Sequence, residues 1–197
     1  WAIDSLPAAV EDTLALVLHD GWGLLVRDRG DNYEAVEAKR VELIHDVIDG
    51  LMDSDDEAVI DLLIARIEAE REVHGQTDGH PGPFVAELIA ARPSLAQGML
   101  GRIRANPGKN ELDPLLPVIL SAFALRDPGA ALQEIDELLS APSQEQRRGA
   151  SQAIGWNRGG RELQPGELDL LLRLAADPDV VIRRNVARAA QLLARTQ

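Results

Sequence analysis

The fold of this chain is decided by residues 177–190, which read Asp177-Pro178-Asp179-Val180-Val181-Ile182-Arg183-Arg184-Asn185-Val186-Ala187-Arg188-Ala189-Ala190. The first three residues supply a turn, a proline suited to a helix N-terminus and negative charge near the first helical turn. Apolar residues then recur at the spacing of one helical face, namely Ile182, Val186, Ala189, Ala190 and Leu193. The segment therefore predicts an amphipathic helix that buries one side.

A second apolar stripe precedes this turn. It begins after Pro165-Gly166 and consists of Leu168, Leu171, Leu172 and Ala175. Two short amphipathic helices joined by a tight turn form a hairpin, and one hairpin cannot bury both stripes alone. We therefore predict neighbouring hairpins, with buried side chains that include Ile182, Val186, Ala189, Leu171 and Leu138.

The same pattern occurs 36 residues earlier in the chain. The matching positions are Pro142 and Pro178, Arg147-Arg148 and Arg183-Arg184, Ala153 and Ala189, and Leu132, Ile135 and Leu138 with Leu168, Leu171 and Leu174. The earlier hairpin departs from the repeat pattern at two characteristic positions, with Ala141 where Asp177 lies and Gln146 where Ile182 lies. A shared period with shared apolar positions predicts stacked hairpins, the architecture of a solenoid.

Residues 128–195 resemble the HEAT repeat family, in the variant that carries Asp-Pro-Asp, then an aliphatic residue and arginine, then small residues. The last helical pair matches this pattern best. The resemblance implies an α-solenoid. In that family the equivalent arginine commonly pairs with the turn aspartate, which implies that Arg183 lies opposite Asp177 or a neighbouring repeat.

The rest of the chain also predicts helices and no strands. Helices are expected at 4–19, at 32–51, from a capping box at Ser54 to about Val73, and at 84–91, 94–105 and 111–126, the last one bent at Pro117. We predict an all-α protein of about ten or eleven helices that forms one domain over residues 1–197. Within it, residues 1–80 form an irregular acidic part, 81–127 degenerate repeats and 128–195 two HEAT-like repeats.

Composition agrees with close-packed helices. Of 197 residues, 45% are hydrophobic but only 3% are aromatic, so aliphatic side chains must fill the core. Residues 1–100 contain 7 Lys and Arg against 21 Asp and Glu, a net charge of −14, whereas residues 101–197 contain 13 against 12, a net charge of +1. An acidic half repels phosphate backbones and favours basic partners or simple solubility. The sequence contains neither cysteine nor a long apolar run, and we expect a cytoplasmic protein without disulfides or membrane spans.

The candidate binding residues lie in the repeated part. They are Arg147, Arg148, Trp156, Arg158, Arg183, Arg184 and Arg188. Arginines that recur at one repeat position usually tie repeats together. The alternative is a basic ridge that binds an acidic peptide or a phosphate, because the guanidinium fork binds such groups in two places. Trp156 and Trp22 are each as consistent with packing as with a partner contact.

No catalytic constellation is evident. His74, Asp78 and His80 lie in one loop, but a fourth ligand and a fixed geometry are lacking, and a long polar linker explains the loop without any metal. Residues Asp53 to Ile64 and Gly108-Lys109 fail the calcium-loop and phosphate-loop patterns. We therefore predict no catalytic, cofactor-binding or metal-binding residues.

The function expected from this architecture is a non-enzymatic scaffold that binds a protein on its concave face. The alternative is an enzyme similar to the alkyl-base DNA glycosylases, which resemble HEAT arrays and bind DNA in a basic groove. Trp156, Arg158, Arg183 and Arg184 are the only residues that favour this alternative, and the acidic total opposes it. A relative of the HEAT-type chromophore lyases is a third possibility, which rests on the repeat variant alone. Oligomeric state stays open at this point.

Overall fold

The computed structural model describes residues 33–74, 81–107, 111–154 and 165–194. These residues form nine α-helices and one short 3-10 helix, and no strand occurs among them. The α-helices are α1 Tyr33–Leu51, α2 Asp56–His74, α3 Gly82–Ala91, α4 Ser94–Ala105, α5 Leu116–Arg126, α6 Pro128–Leu139, α7 Gln144–Ala153, α8 Pro165–Ala175 and α9 Val180–Ala194. The all-helical prediction is confirmed. The helix expected at 4–19 lies outside the described residues.

Contacts divide the chain into two compact units, Trp1–Gly98 and Met99–Gln197, with the boundary inside α4. In the first unit, aliphatic residues of α1, α2 and α3 form the core, among them Val47, Ile60, Leu63, Val85 and Ile89. Arg92 joins two of these helices, because it donates to the Leu51 carbonyl at 3.2 Å and pairs with Asp56 at 2.5 Å. None of the described helices has both the length and the apolar character needed to cross a bilayer.

Two predicted helix boundaries are wrong, and both differences involve a helix start. The first helical bond of α2 runs from the Val59 N–H to the Asp55 carbonyl, so this helix begins one residue later than a cap at Ser54 predicts. The segment 111–126 is not one bent helix. Pro114 lies in the first turn of the 3-10 helix Asp113–Leu115, and Pro117 lies in the first turn of α5. A proline in a first turn lacks only an N–H that would have no partner, so Pro117 opens a helix instead of bending one.

Burial in the last hairpin confirms most of the predicted core. Ile182, Val186, Ala189 and Leu171 of this hairpin are buried, as is Leu138 of α6, whereas Ala190 of the predicted α9 stripe is exposed. The predicted stripe of α8 is wrong, however, because Leu168, Leu172 and Ala175 are exposed. The buried residues of α8 are Glu167, Leu170, Leu171 and Leu174. Leucine occupies so many positions of α8 that two overlapping stripes both contain Leu171, and periodicity alone does not decide which of them faces the core.

The hairpins α6–α7 and α8–α9 pack side by side, with equivalent helices parallel. In the first helices, a Cβ added at Gly166 would lie 3.1 Å from Leu132 Cδ2, and Arg173 forms an ion pair with Asp136. The earlier residue of α6, Leu132, meets the start of α8, and the later residue, Asp136, meets a later residue of α8, so the two helices run in the same direction. This is the arrangement that the 36-residue offset predicts.

Gln146, which replaces the Ile182 of the other hairpin, is buried for a specific reason. Its Nε2 donates to the Ile103 carbonyl at 2.9 Å. In a continued α-helix that carbonyl would accept from the N–H four residues later, but residue 107 is proline and has none. Because a buried carbonyl without a donor is destabilising, the glutamine side chain replaces the missing backbone donor.

Two glycines of α4 provide a matched test of the packing. A Cβ at Gly98 would lie 2.6 Å from Cδ1 of the fully buried Ile60, whereas a Cβ at Gly101 would meet nothing within 4 Å. Alanine is favoured over glycine inside helices by about 0.5–1 kcal/mol. We expect Gly101→Ala to raise the free energy of unfolding by about that amount, and Gly98→Ala to gain less or to lose stability, because Cδ1 of the fully buried Ile60 must shift to admit the new methyl group. Urea denaturation followed by circular dichroism measures the free energy of unfolding of both variants. An equal increase in that free energy for Gly98→Ala and Gly101→Ala would contradict this packing.

Candidate functional site

The carboxylate of Asp179 is the centre of the predicted arginine cluster. Its Oδ1 accepts the Val181 N–H at 2.8 Å, so Asp179 is the N-cap of α9. The preceding turn is held by Asp177, whose Oδ1 accepts the Asp179 N–H at 2.8 Å. Pro178 therefore lies just before the cap, one step outside the helix. This turn fixes the position of the Asp179 carboxylate relative to the hairpin α6–α7.

Two side chains of α7 reach this carboxylate from the neighbouring hairpin. Arg148 donates from Nε to Oδ2 at 2.7 Å and from Nη2 to Oδ1 at 3.4 Å. Gln144 donates from Nε2 to Oδ2 at 3.0 Å. The Asp179 side chain is only 7% exposed. Because the Arg148 side chain is 39% exposed, water still screens the pair, and its advantage over an ion pair on an open surface comes from its two-point geometry and the covered carboxylate.

These contacts change the acidity of the group. The hydrogen bond from Arg148 is the largest cause that holds the pKa of Asp179 well below its usual range, and the hydrogen bond from the Val181 N–H adds to it. Asp179 therefore stays ionised even in acid, and the ion pair joins the two hairpins over the whole physiological pH range.

Arg147 and Arg183, which are 36 residues apart, make the same contacts in the two hairpins. Arg147 donates from Nη1 to the carbonyls of Ala141 at 2.8 Å and Pro142 at 3.0 Å. Arg183 donates from Nη1 to the carbonyls of Asp177 at 2.6 Å and Pro178 at 3.0 Å. Each arginine thus holds the turn of its own hairpin.

The contact of Arg183 corrects one detail of the family-based prediction. Arg183 does lie opposite Asp177, but it donates to the backbone carbonyl of Asp177. The Asp177 carboxylate instead accepts a hydrogen bond from the Asp179 N–H. Because the contact uses a backbone carbonyl, it does not require an aspartate. This explains how Ala141 replaces Asp177 in the earlier hairpin without loss of the arginine contact.

A second polar contact between α7 and α9 was not predicted from the sequence. Asn185 donates from Nδ2 to Ser151 Oγ at 2.9 Å and to the Arg148 carbonyl at 3.4 Å. The Ser151 hydroxyl in turn donates to the same carbonyl at 2.7 Å. The available signal was the polar residue Asn185 one position before Val186 of the buried stripe. Arg148 pairs with Asp179 and Ser151 with Asn185, so α7 and α9 also run parallel.

The structure separates the other candidate residues into two groups. Arg184 and Arg188 are exposed and lie four residues apart on one side of α9, and neither has an ion-paired carboxylate among the described residues. Trp156, Arg158, Trp22 and the His74–His80 loop side chains lie outside what the structure describes. Among the described side chains, no cluster of three His, Asp or Glu could hold a metal ion. Among the candidate residues that the structure describes, Arg147, Arg148 and Arg183 are held by contacts within the protein, whereas Arg184 and Arg188 are exposed.

Comparison with known proteins identifies no protein family that matches this chain, no curated protein similar to it in sequence and no solved structure similar to it. The function must accordingly be argued from the residues and contacts described above.

The ionised Asp179 predicts a specific pH dependence. A carboxyl whose pKa is lower in the folded than in the unfolded state stabilises the fold above its ordinary pKa, and this contribution is lost as pH falls toward the folded value. Asp179→Asn keeps a good helix cap but removes the charge. We expect the variant to be less stable than wild type at pH 7, with the difference shrinking as pH falls below about 4.

The measurement is urea denaturation at a series of pH values between 7 and 3. Asp136→Asn serves as the control, because Asp136 pairs with Arg173 on the open surface, where both side chains are more than half exposed. At pH 7, Asp136→Asn should lower the free energy of unfolding by less than Asp179→Asn does. A stability difference between Asp179→Asn and wild type that is the same at every pH would contradict the assignment.

Proposed function

We propose that this protein is a non-enzymatic scaffold of the HEAT-like, α-solenoid type, and that it binds a protein partner on the concave face lined by the second helices of its hairpins. The observation that carries this proposal is the identical use of Arg147 and Arg183, each of which holds its own turn through two backbone carbonyls. A contact repeated at the period of the sequence supports repeating structural units, and stacked units generate an extended surface for binding.

The parallel stacking of α6 on α8 and of α7 on α9 supports the same reading. A solenoid requires each hairpin to repeat the position of the one before it, so that second helices follow one another along one face. In this chain those second helices are α7 and α9. Arg184 and Arg188 of α9 are exposed, and in this proposal they are the first contacts for a partner.

The partner expected at these two arginines presents carboxylates. A guanidinium recognises a carboxylate with two parallel hydrogen bonds, and arginine is enriched at protein interfaces for this reason. Arg147, Arg148 and Arg183 are engaged in contacts of the protein itself and contribute little to recognition. The partner segment is therefore acidic and binds by way of a small basic patch defined by Arg184 and Arg188.

The alternative, a DNA-binding enzyme similar to the alkyl-base DNA glycosylases, needs a larger basic surface. Affinity for a duplex depends on how many phosphates are neutralised, and two exposed arginines neutralise few. The first unit adds repulsion, because acidic side chains such as Glu42, Asp46 and Asp49 are exposed there. These observations favour the protein-binding function.

Duplex DNA provides the first test. With a fluorescently labelled duplex at about 0.15 M salt, we expect anisotropy to report no more than weak binding, with dissociation constants of about 10⁻⁴–10⁻⁶ M or weaker. Sub-micromolar binding that falls steeply with salt, and that disappears in the double variant Arg184→Glu and Arg188→Glu, would overturn the scaffold proposal in favour of a nucleic-acid function.

The second arm of the test uses a matched set of baits. Immobilised wild type, the double variant Arg184→Glu and Arg188→Glu, and Arg126→Glu as a charge-reversal control on α5 are exposed to extract of the native host. We expect a protein retained by wild type and by Arg126→Glu, released by added salt and absent from the double variant. Identical retention by all three baits would show that α9 is not the binding surface.

A further inference from the structure

The first helices of the two hairpins, α6 and α8, each contact an earlier helix from the same repeat position. Glu137 of α6 accepts a hydrogen bond from Arg104 of α4 at 3.1 Å, and Glu134 pairs with the same guanidinium at 2.8 Å. The residue 36 positions after Glu137 is Arg173 of α8, which pairs with Asp136 of α6. One repeat position therefore joins α6 to α4 and α8 to α6, with the two charges exchanged.

The second helices, α7 and α9, show the same agreement. A Cβ added at Gly149 of α7 would lie 3.0 Å from Cδ2 of Leu116, the first residue of α5. The residue 36 positions after Gly149 is Asn185 of α9, which donates to Ser151 Oγ of α7 at 2.9 Å. A second repeat position therefore joins α7 to α5 and α9 to α7.

The two agreements are independent, because one involves first helices and the other involves second helices. Together they place α4 and α5 against the hairpin α6–α7 as α6 and α7 lie against α8–α9. Arg104 and all of α5 belong to the same compact unit as these hairpins, Met99–Gln197. We propose that α4 and α5 are the first and second helices of a third repeat unit, so that the array is continuous from α4 to α9.

The connection between α4 and α5 explains why the 36-residue period does not reveal this unit. Residues 140–143 join α6 to α7 and residues 176–179 join α8 to α9, whereas the longer segment 106–115 joins α4 to α5. The spacing between the two helices therefore differs from that of the later hairpins. Counting back 36 residues from Arg147 gives Glu111, so the arginine that holds the later turns has no equivalent at this position. Neither the spacing nor the turn motif marks the unit in the sequence.

A third unit extends the surface that the proposed scaffold uses for binding, and this consequence rests on the proposed function. The second helices α5, α7 and α9 then follow one another along the array. Helices in contact lie about 8–10 Å apart, so the axes of α5 and α9 are separated by about 20 Å. The partner-binding face accordingly begins at α5 instead of α7.

Disulfide mapping in the whole chain tests the third unit, because the sequence contains no cysteine of its own. The pair Leu116→Cys with Gly149→Cys joins α5 to α7, and the pair Ser151→Cys with Asn185→Cys joins α7 to α9. A Cβ at Gly149 would lie 3.4 Å from the Leu116 Cβ, close to the separation of about 3.5–4.5 Å in a disulfide. We expect both matched pairs to form an intramolecular disulfide under mild oxidation, as measured by mass spectrometry after thiol alkylation.

Two crossed pairs provide the control, namely Leu116→Cys with Ser151→Cys and Gly149→Cys with Asn185→Cys. Positions 149 and 151 are separated by about 200° around α7, so they face opposite neighbours. Both crossed pairs should therefore stay reduced under the same oxidation.

A charge exchange between α4 and α6 is the second measurement, and it leaves the buried Leu116 unchanged. Arg104→Glu and Glu137→Arg each create repulsion, so each should lower the midpoint of urea denaturation. The double variant restores an ion pair, with the charges ordered as in Asp136 and Arg173, and should recover most of the loss.

Crossed cysteine pairs that oxidise as fast as the matched pairs would overturn the proposal, as would a folded variant with Leu116→Cys and Gly149→Cys that stays reduced. A double charge variant no more stable than either single variant would also overturn it. These measurements need no partner, so they separate a failure of the third unit from a failure of the partner-binding function.

Discussion

The ion pair between Arg148 and Asp179 is the constraint on which the second unit depends. Asp179 caps α9 through the Val181 N–H and at the same time binds Arg148 and Gln144 of α7. One carboxylate therefore ends a turn, begins a helix and attaches that helix to the preceding hairpin. Because the pKa of Asp179 is held well below its usual range, this attachment is not lost under ordinary conditions. The parallel packing of α7 and α9 follows from it.

Once that attachment is in place, the arginines of the repeat have different roles according to their position. Arg147 and Arg183 hold turns, Arg148 joins hairpins, and Arg184, at the position equivalent to Arg148, is exposed. Sequence similarity between repeats therefore does not mean similarity of role. The residue that stabilises one hairpin contact becomes available for binding in the next hairpin, where no further hairpin covers it in the described structure.

Much of the fold follows from the sequence, because helix periodicity and turn residues are local signals. The offset of 36 residues predicts the parallel hairpins, and the burial of Ile182 and Val186 was expected from their spacing. The buried face of α8 was missed because its many leucines fit more than one stripe. Gln146 could not be interpreted either, since its partner is a carbonyl of α4 made free by a proline. The contact of Asn185 with Ser151 had one local signal, a polar residue beside the buried stripe, but the sequence does not indicate which distant residue is its partner.

A double-mutant cycle on Arg148 and Asp179 tests the central claim most directly. Arg148→Ala and Asp179→Ser are measured singly and together by urea denaturation, with serine chosen because it keeps the helix cap. The account predicts a favourable coupling free energy that clearly exceeds the coupling of the exposed pair Arg173 and Asp136 measured in the same way. Strictly additive effects, or a coupling no larger than that of the exposed pair, would contradict the claim that this ion pair joins the two hairpins.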